Sequence, residues 1–216
     1  MYTTAIFDLD GTLLNTLGDL SDSVNATLSH FGYPTRTEDE VRRFVGNGVR
    51  LLIARTLPTG EEDPRFEEVL AAFRAHYAQN SEKRTAPYAG VTALLANLRA
   101  AGVRVAVVSN KFDAAVKKLC AVYFGDLVEL AIGETPDIAK KPAPDAIFFA
   151  LRALGATPAD AVYIGDSEVD VETARAAGIP CISVLWGFRD RGLLAAHGAT
   201  DFAETADELE KMLLHS

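Results

Sequence analysis

The stretch that decides the fold is T-A-I-F-D-L-D-G-T, residues 4–12. Its apolar run predicts a strand over residues 4–9, and near-continuous apolar strands are typical of sheets that are covered on both faces. Alternation along such a strand would place Asp8 and Asp10 on one face, about 7 Å apart. Ligands of open α/β sheets bind at the carboxyl ends of the strands, so this pair of acids is a candidate site.

Further apolar runs alternate with helical patterns along the chain. Strands are predicted over residues 103–108, 128–132, 161–164 and 180–185. Helices are predicted over residues 91–100, 114–122, 145–154, 169–176 and 205–214. This alternation predicts an α/β fold, in which helices cover both faces of a parallel sheet.

One block breaks the alternation and shows only helical patterns. Its predicted helices are one that ends at Gly32 and three over residues 38–45, 49–57 and 66–77. An all-helical block after the first strand predicts an inserted subdomain. We therefore predict a core domain of residues 1–16 and 81–216 and a helical domain of residues 17–80.

Composition and net charge exclude several classes of partner. The 216 residues carry 21 Lys and Arg against 30 Asp and Glu, for a formal net charge of −9. Such a surface repels phosphate backbones, so we expect no nucleic-acid partner. Cys120 and Cys181 lack zinc-site spacing and are expected to be reduced. With no secretory pattern near the first residue and no apolar run near the roughly 20 residues that cross a bilayer, we expect a cytoplasmic protein without a membrane partner.

Two neighbouring carboxylates at a strand end are costly unless a cation joins them. A hard cation such as Mg²⁺, with oxygen ligands, is the natural partner of Asp8 and Asp10. An EF-hand loop also begins D-x-D, but its sixth and twelfth positions would be Leu13 and Asp19 here, which excludes it. A turn acid followed by a helix cap remains the alternative.

Polar residues also follow the later strands. Ser109 and Asn110 come after an apolar run, where they would hold phosphate oxygens or cap the next helix. Lys141, held extended before Pro142, would neutralise a phosphoryl group or lie solvated on the surface. Because all of these positions share the carboxyl edge of the sheet, they converge on one site.

The last strand-end motif contains two more acids. Asp166 follows the predicted strand over residues 161–164, and Asp170 lies four positions later, near a helix start. An N-cap role for Asp166 or Ser167 is the alternative to a role in the site.

Together, F-D-L-D-G-T (7–12), S-N (109–110), K-P-A-P (141–144) and G-D-S-E-V-D (165–170) resemble the four-motif signature of the haloacid dehalogenase superfamily of phosphohydrolases. The resemblance implies a Rossmann-like core and a mobile cap. A helical insertion between the first two motifs corresponds to a C1-type cap. Four local motifs are similar to those of the phosphoglycolate phosphatase branch: F-V-G-N-G-V-R-L-L-I-A-R-T-L (44–57), P-Y-A-G-V (87–91), S-N-K (109–111) and G-D-S-E-V-D-V-E-T-A-R-A-A-G (165–178). One departure is Asn15 before Thr16, where relatives usually carry Asp followed by Ser or Thr.

The resemblance also implies roles. Asp8 would be the nucleophile and Asp10 the general acid and base. Mg²⁺ would be held by Asp8, the backbone carbonyl of Asp10, and Asp166, while Asp170 would orient the ligands from behind. The groups implied to bind or stabilise the phosphoryl group are Gly11, Thr12, Ser109, Asn110 and Lys141, of which Ser109 and Lys141 would also be catalytic.

Selectivity is expected from the helical insertion. Gly46, Asn47 and Gly48 would bring backbone N–H groups close to a small anion at a helix start, and Arg50 or Arg55 would pair with a substrate carboxylate. A solvated helix face is the alternative for both arginines, and the role of Lys111 is equally open.

The expected function is hydrolysis of a small anionic phosphorylated metabolite, foremost 2-phosphoglycolate, through an aspartyl-phosphate intermediate. A pyrophosphatase, a sugar-phosphate phosphatase and a phosphomutase of the same superfamily are the alternatives. A phosphate-binding protein without catalytic activity is the alternative outside the enzymes. Receiver domains also phosphorylate an aspartate, but they lack D-x-D-G-T and an inserted cap. A monomer or homodimer is expected.

Overall fold

The computed structural model describes residues 2–215. They divide into two compact units. One unit contains the residues up to Leu14 together with those from Pro87 onward, and the other is Asn15–Ala86. The helical unit thus begins at Asn15 rather than at residue 17 and ends at Ala86 rather than at residue 80.

The described residues form a parallel sheet and a short ribbon. The strands, in chain order, are β1 (Thr4–Phe7), β2 (Leu14–Asn15), β3 (Ala86–Pro87), β4 (Arg104–Phe112), β5 (Leu130–Glu134), β6 (Ala161–Gly165), β7 (Cys181–Val184) and β8 (Asp201–Ala203). Six of them form one sheet in the order β5-β4-β1-β6-β7-β8, and every adjacent pair is parallel. Strands β2 and β3 form the ribbon.

The helices complete both units. Those of the helical unit are α1 (Leu17–Phe31), α2 (Glu38–Phe44), α3 (Val49–Thr56) and α4 (Phe66–Asn80). Those of the sheet unit are α5 (Val91–Ala100), α6 (Asp113–Tyr123), α7 (Asp145–Ala153), α8 (Glu168–Ala177), α9 (Arg191–Ala196) and α10 (Ala206–Leu214). No helix of residues 2–215 is both long enough and apolar enough to span a bilayer.

Apolar residues cover both faces of the sheet. Ala5 and Phe7 of β1 pack with residues of α5, α6 and α10 on one face. Ile6 packs on the other face with residues of α7 and α8. The predicted α/β architecture is therefore confirmed, with helices packed on both faces of a buried parallel sheet.

Each of the five predicted strands ends at a different residue in the structure, and two of these differences concern the site. Strand β1 ends at Phe7, so Asp8 and Asp10 follow the strand and alternation along it does not position them. The register of strand β4 becomes irregular beyond Val108, but the strand continues to Phe112. Ser109 and Asn110 therefore lie within the strand and not after it. The interpretation of Ser109 and Asn110 as helix caps is therefore wrong.

The helical unit has its own local constraints. Asp19, buried at the start of α1, accepts hydrogen bonds from the backbone N–H groups of Arg84 (2.8 Å) and Thr85 (2.9 Å). The Asn15 side chain accepts from the N–H of Leu17 at 3.3 Å. These bonds satisfy backbone donors where the unit begins and ends.

Candidate active site

Asp8 lies directly beyond β1, and the sheet fixes its backbone. Its N–H donates to the carbonyl of Ile164 in β6 at 2.8 Å, which extends the ladder by one residue. Its carboxylate is buried, with Oδ1 2.9 Å from Nζ of Lys141. Burial raises the pKa of Asp8, and Lys141 opposes that shift; with the nearby negative charges of Asp170 and Asp10, the net result is a pKa of about 7.

Lys141 is buried and surrounded by acceptors. Its Nζ lies 2.7 Å from Oδ1 of Asp170 and 3.0 Å from the hydroxyl of Tyr163. Burial disfavours its charge, but Asp170 and Asp8 outweigh that effect, so the pKa of Lys141 lies well above its usual value. The alternative of a solvated surface lysine is therefore wrong.

Asp166 and Asp170 stand at the end of β6 and in the first turn of α8. Asp166 accepts from the N–H of Phe188 at 2.7 Å and from the hydroxyl of Thr12 at 3.3 Å. Asp170 accepts from the N–H and hydroxyl of Ser167, at 3.0 and 2.6 Å. The cap of α8 thus uses Ser167 and Asp170, and the carboxylate of Asp166 remains directed at the other acids.

The acids meet as a candidate metal site. Carboxylate oxygens of Asp8, Asp166 and Asp170 lie within 4.8 Å of one another. Burial, followed by the charges of Asp170 and Asp8, raises the pKa of Asp166 well above its usual value. Oδ1 of Asp8 is buried and accepts no hydrogen bond of good geometry, although Lys141 forms an ion pair with it.

The formal charges of the surrounding side chains also indicate a cation site. The carboxylates of Asp8, Asp10, Asp166 and Asp170 face the two ammonium groups of Lys111 and Lys141. The formal charges of these six groups sum to −2, and Arg189 acts on Asp166 as a further positive charge. A divalent cation would favour the ionised form of these carboxylates. Buried oxygen donors of this kind suit Mg²⁺, so the residues fit the metal.

Asp10 pairs with a lysine that the sequence left open. Nζ of Lys111 lies 2.9 Å from Oδ1 and 3.1 Å from Oδ2 of Asp10. The Lys111 side chain is 3% exposed and that of Asp10 is 13% exposed. Lys111 is therefore a buried part of this cluster.

The residues predicted to bind phosphate lie around the same strand ends. Asn110 donates from Nδ2 to the carbonyl of Lys141 at 3.0 Å, and the hydroxyl of Ser109 accepts from the N–H of Lys111 at 3.3 Å. Gly11 has φ of 87° and lies against Asp166, so a side chain there would overlap the carboxylate. The structure brings all predicted core-site residues together.

Sequence reasoning missed Tyr163 and the segment after β7. The Tyr163 hydroxyl lies 3.1 Å from Oδ1 of Asp170 and donates to the carbonyl of Val108 at 3.2 Å. A tyrosine within a buried strand needs a partner for its hydroxyl, and that requirement was the available signal. The indole N–H of Trp186 donates to the carbonyl of Thr12 at 3.0 Å.

Gly187 allows that segment to approach the acids. A Cβ at Gly187 would overlap the Asp166 side chain and the carbonyl of Gly11. We expect Gly187→Ala to displace Asp166 and to weaken Mg²⁺ binding at least about 10-fold, the effect typical of groups that orient ligands. Isothermal titration with Mg²⁺ measures this change. Gly192→Ala, in α9, is the matched control and should bind Mg²⁺ as the wild type does; equal affinities for all three proteins would contradict the prediction.

The selectivity residues predicted for the insertion lie in the helical unit. Arg50 pairs with Glu61 at 2.9 Å and Glu67 at 2.8 Å, so its charge is already balanced within that unit. Arg55 donates to Oδ1 of Asn47 at 2.9 Å. Gly48, with φ of 90°, immediately precedes α3.

A parallel sheet that gathers a buried lysine and several acids at its strand ends is suited to binding a phosphoryl group together with a divalent cation. Residues 5–184 match the profile of the haloacid dehalogenase-like hydrolases. The chain belongs to that family.

Several similar proteins are named as phosphoglycolate phosphatases. A Pseudomonas putida phosphoglycolate phosphatase is 36% identical over 85% of this chain and 69% of its own length. A plasmid-encoded phosphoglycolate phosphatase of Cupriavidus necator is 35% identical over 98% of this chain and 93% of its own. A solved Lactobacillus delbrueckii structure, provisionally assigned as a phosphoglycolate phosphatase, superposes with a TM-score of 0.95 at 35% identity, covering 100% of this chain and 99% of that one.

Proposed function

We propose that this protein is a Mg²⁺-dependent phosphatase that hydrolyses 2-phosphoglycolate through an aspartyl-phosphate on Asp8. The observation that carries the proposal is the Asp8 carboxylate, buried 2.9 Å from Nζ of Lys141 and grouped with Asp166 and Asp170. The substrate is supported by the two relatives named for phosphoglycolate phosphatase activity.

In the first step, a carboxylate oxygen of Asp8 attacks phosphorus and the bond to the ester oxygen breaks. Asp10 donates its proton to the departing alkoxide, which leaves as an alcohol. Lys141 and the polar groups of Ser109 and Asn110 stabilise the negative charge of the phosphoryl oxygens. Asp8, Asp166 and the carbonyl of Asp10 would hold Mg²⁺, which would supply further neutralisation of that charge when bound.

In the second step, water attacks the phosphorus of the aspartyl-phosphate. Asp10, now a carboxylate, takes a proton from that water, and the bond between phosphorus and the Asp8 oxygen breaks. Phosphate is released and the Asp8 carboxylate is restored. Asp170 contributes indirectly, because it holds Lys141 beside Asp8 and caps α8.

A sugar phosphate is the second candidate substrate. Among solved structures, CbbY of Rhodobacter sphaeroides, in complex with phosphate, is 27% identical with a TM-score of 0.82, covering 97% of this chain and 96% of that one. A variant of the same protein was solved with xylulose-1,5-bisphosphate. Pyrophosphatase, phosphomutase and silent phosphate-binding roles are the remaining alternatives.

Phosphate release from a panel of small phosphoesters tests the proposal. With Mg²⁺ present, we expect the highest kcat/KM for 2-phosphoglycolate among that compound, pyrophosphate and several sugar phosphates. Preference for another compound would contradict the substrate but keep the mechanism. Absence of release from every compound by folded protein would contradict the phosphatase itself.

Mg²⁺ should stabilise the fold through Asp166. A ligand at about 100 times its Kd stabilises the native state by about 2.7 kcal/mol, so Mg²⁺ should raise the unfolding midpoint of the wild type. Asp166→Asn should lose most of this shift because one anionic ligand is gone. Calorimetry with and without Mg²⁺ measures it, and the exposed Asp137→Asn is the control. Equal shifts in all three proteins would place the metal elsewhere.

We also propose that the helical unit is the cap domain and that Asn47 and Gly48 contribute to substrate selection. Cytoplasmic location and a monomeric or homodimeric state remain proposals, as does the lack of nucleic-acid and membrane partners. The net charge of −9 supports the lack of a nucleic-acid partner. The unpaired cysteines, Cys120 and Cys181, support a reducing compartment.

A further inference from the structure

Lys111 contacts the acid that the mechanism uses twice. Its Nζ reaches both carboxylate oxygens of Asp10, at 2.9 and 3.1 Å. Such a contact fixes the plane of the carboxylate as well as its position, because rotation of the group would break one of the two bonds. A surface pair seldom has this effect, but the Lys111 side chain is only 3% exposed.

The backbone on both sides of this pair is differently constrained. Lys111 belongs to β4 and lies in its irregular stretch between Val108 and Phe112, both of which pair with β5, so the backbone that carries its side chain is held by the sheet on either side. Asp10 lies beyond the end of β1 and immediately before Gly11, whose φ of 87° marks a turn. The pair therefore ties the side chain of a turn residue to the sheet.

We propose that Lys111 is a positioning residue, which holds the Asp10 carboxylate where it exchanges protons with the ester oxygen and with water. The proposal rests on the proposed phosphatase function. Proton transfer by a positioned side chain typically contributes about 10²–10⁴-fold to a rate, and a misplacement of about 1 Å can cost about 10²-fold. Loss of Lys111 should therefore lower the rate mainly for substrates whose leaving group needs the proton of Asp10.

The leaving group of the substrate separates this role from others. An alkyl phosphate releases an alkoxide that needs a proton, whereas p-nitrophenyl phosphate releases a stable phenolate that does not. The test compares kcat/KM for 2-phosphoglycolate, glycerol 2-phosphate and p-nitrophenyl phosphate. The proteins are the wild type, Lys111→Met, Lys111→Arg, Asp10→Asn, the Lys111→Met/Asp10→Asn double variant, and Lys140→Met, which removes an exposed lysine.

We expect Lys111→Met to lower kcat/KM about 10²-fold or more for both alkyl esters and less than about 10-fold for the nitrophenyl ester. Lys111→Arg should recover part of the loss, and Lys140→Met should match the wild type. In the Asp10→Asn background, Lys111→Met should cause little further loss, because a residue that acts through Asp10 has nothing left to position. If Lys111→Met does not fold, Lys111→Gln takes its place in every arm.

Three outcomes would overturn the inference. Equal losses for all three esters would make Lys111 a purely structural residue. A loss confined to 2-phosphoglycolate, seen mainly in KM, would make it a contact for the substrate carboxylate. Full additivity with Asp10→Asn would show that it acts independently of that residue. Wild-type protein that hydrolyses none of the esters would instead contradict the proposed function, and the inference with it.

Discussion

Asp8→Asn is expected to lower phosphate release at least about 10⁴-fold, the scale seen when an enzyme loses its nucleophile. An amide in place of the carboxylate cannot form the aspartyl-phosphate, while the buried neighbours of Asp8 keep their positions. Phosphate release from 2-phosphoglycolate with saturating Mg²⁺ measures the effect. Activity within about 10-fold of the wild type would exclude Asp8 as the nucleophile.

The same variant should fold at least as well as the wild type in the absence of metal. The pKa of Asp8 is raised from 3.8 to about 7, so ionising this carboxyl costs more in the folded state than in the unfolded state. That cost is absent below about pH 4 and grows until about pH 7. The stability gained by Asp8→Asn should therefore increase over that range in urea titrations. A less stable variant at neutral pH would show that the Asp8 charge supports the fold.

Lys141→Met is expected to damage both activity and stability. The substitution leaves Asp8 and Asp170 buried without the ammonium group that lies 2.9 and 2.7 Å from their carboxylates. Breaking a buried ion pair costs about 3–5 kcal/mol, and losing a group that stabilises transition-state charge costs about 10²–10³-fold in kcat. Urea unfolding and steady-state kinetics measure the two effects.

Lys140→Met is the matched control for Lys141→Met. The two lysines are adjacent in sequence, but Lys140 is exposed and Lys141 is buried. The control should keep the wild-type unfolding free energy and kcat. If both variants behaved alike, the loss would come from net charge and not from the buried ion pairs.

The sheet and its main helices were predictable because their apolar patterns are strong. The helix predicted over residues 91–100 is α5 without a change of bounds. The pattern failed where an element buries little. Strand β8 has three residues at the edge of the sheet, and α9 has six residues and includes Gly192, so neither produces a periodic signal.

The core acids of the candidate site were predictable from their placement after strands, but their partners were not. The contact of Lys111 with Asp10 joins residues 101 positions apart. This contact requires β4 to continue past Val108. The polar residues S-N-K that follow Val108 do not show the apolar pattern of a strand, so the continuation could not be predicted. The approach of Gly187 to Asp166 depends on the path of the segment after β7, and single-sequence patterns do not encode such a path.

The most direct test of the account uses Asp10→Asn with p-nitrophenyl phosphate and Mg²⁺. Nitrophenolate leaves without a proton, but water attack on the aspartyl-phosphate lacks its base. The account predicts a rapid burst of about one nitrophenolate per active site, slow turnover afterwards, and a phosphoryl group on the peptide that contains Asp8 after acid quenching. Steady turnover with unmodified Asp8, or phosphorylation of a different residue, would contradict it.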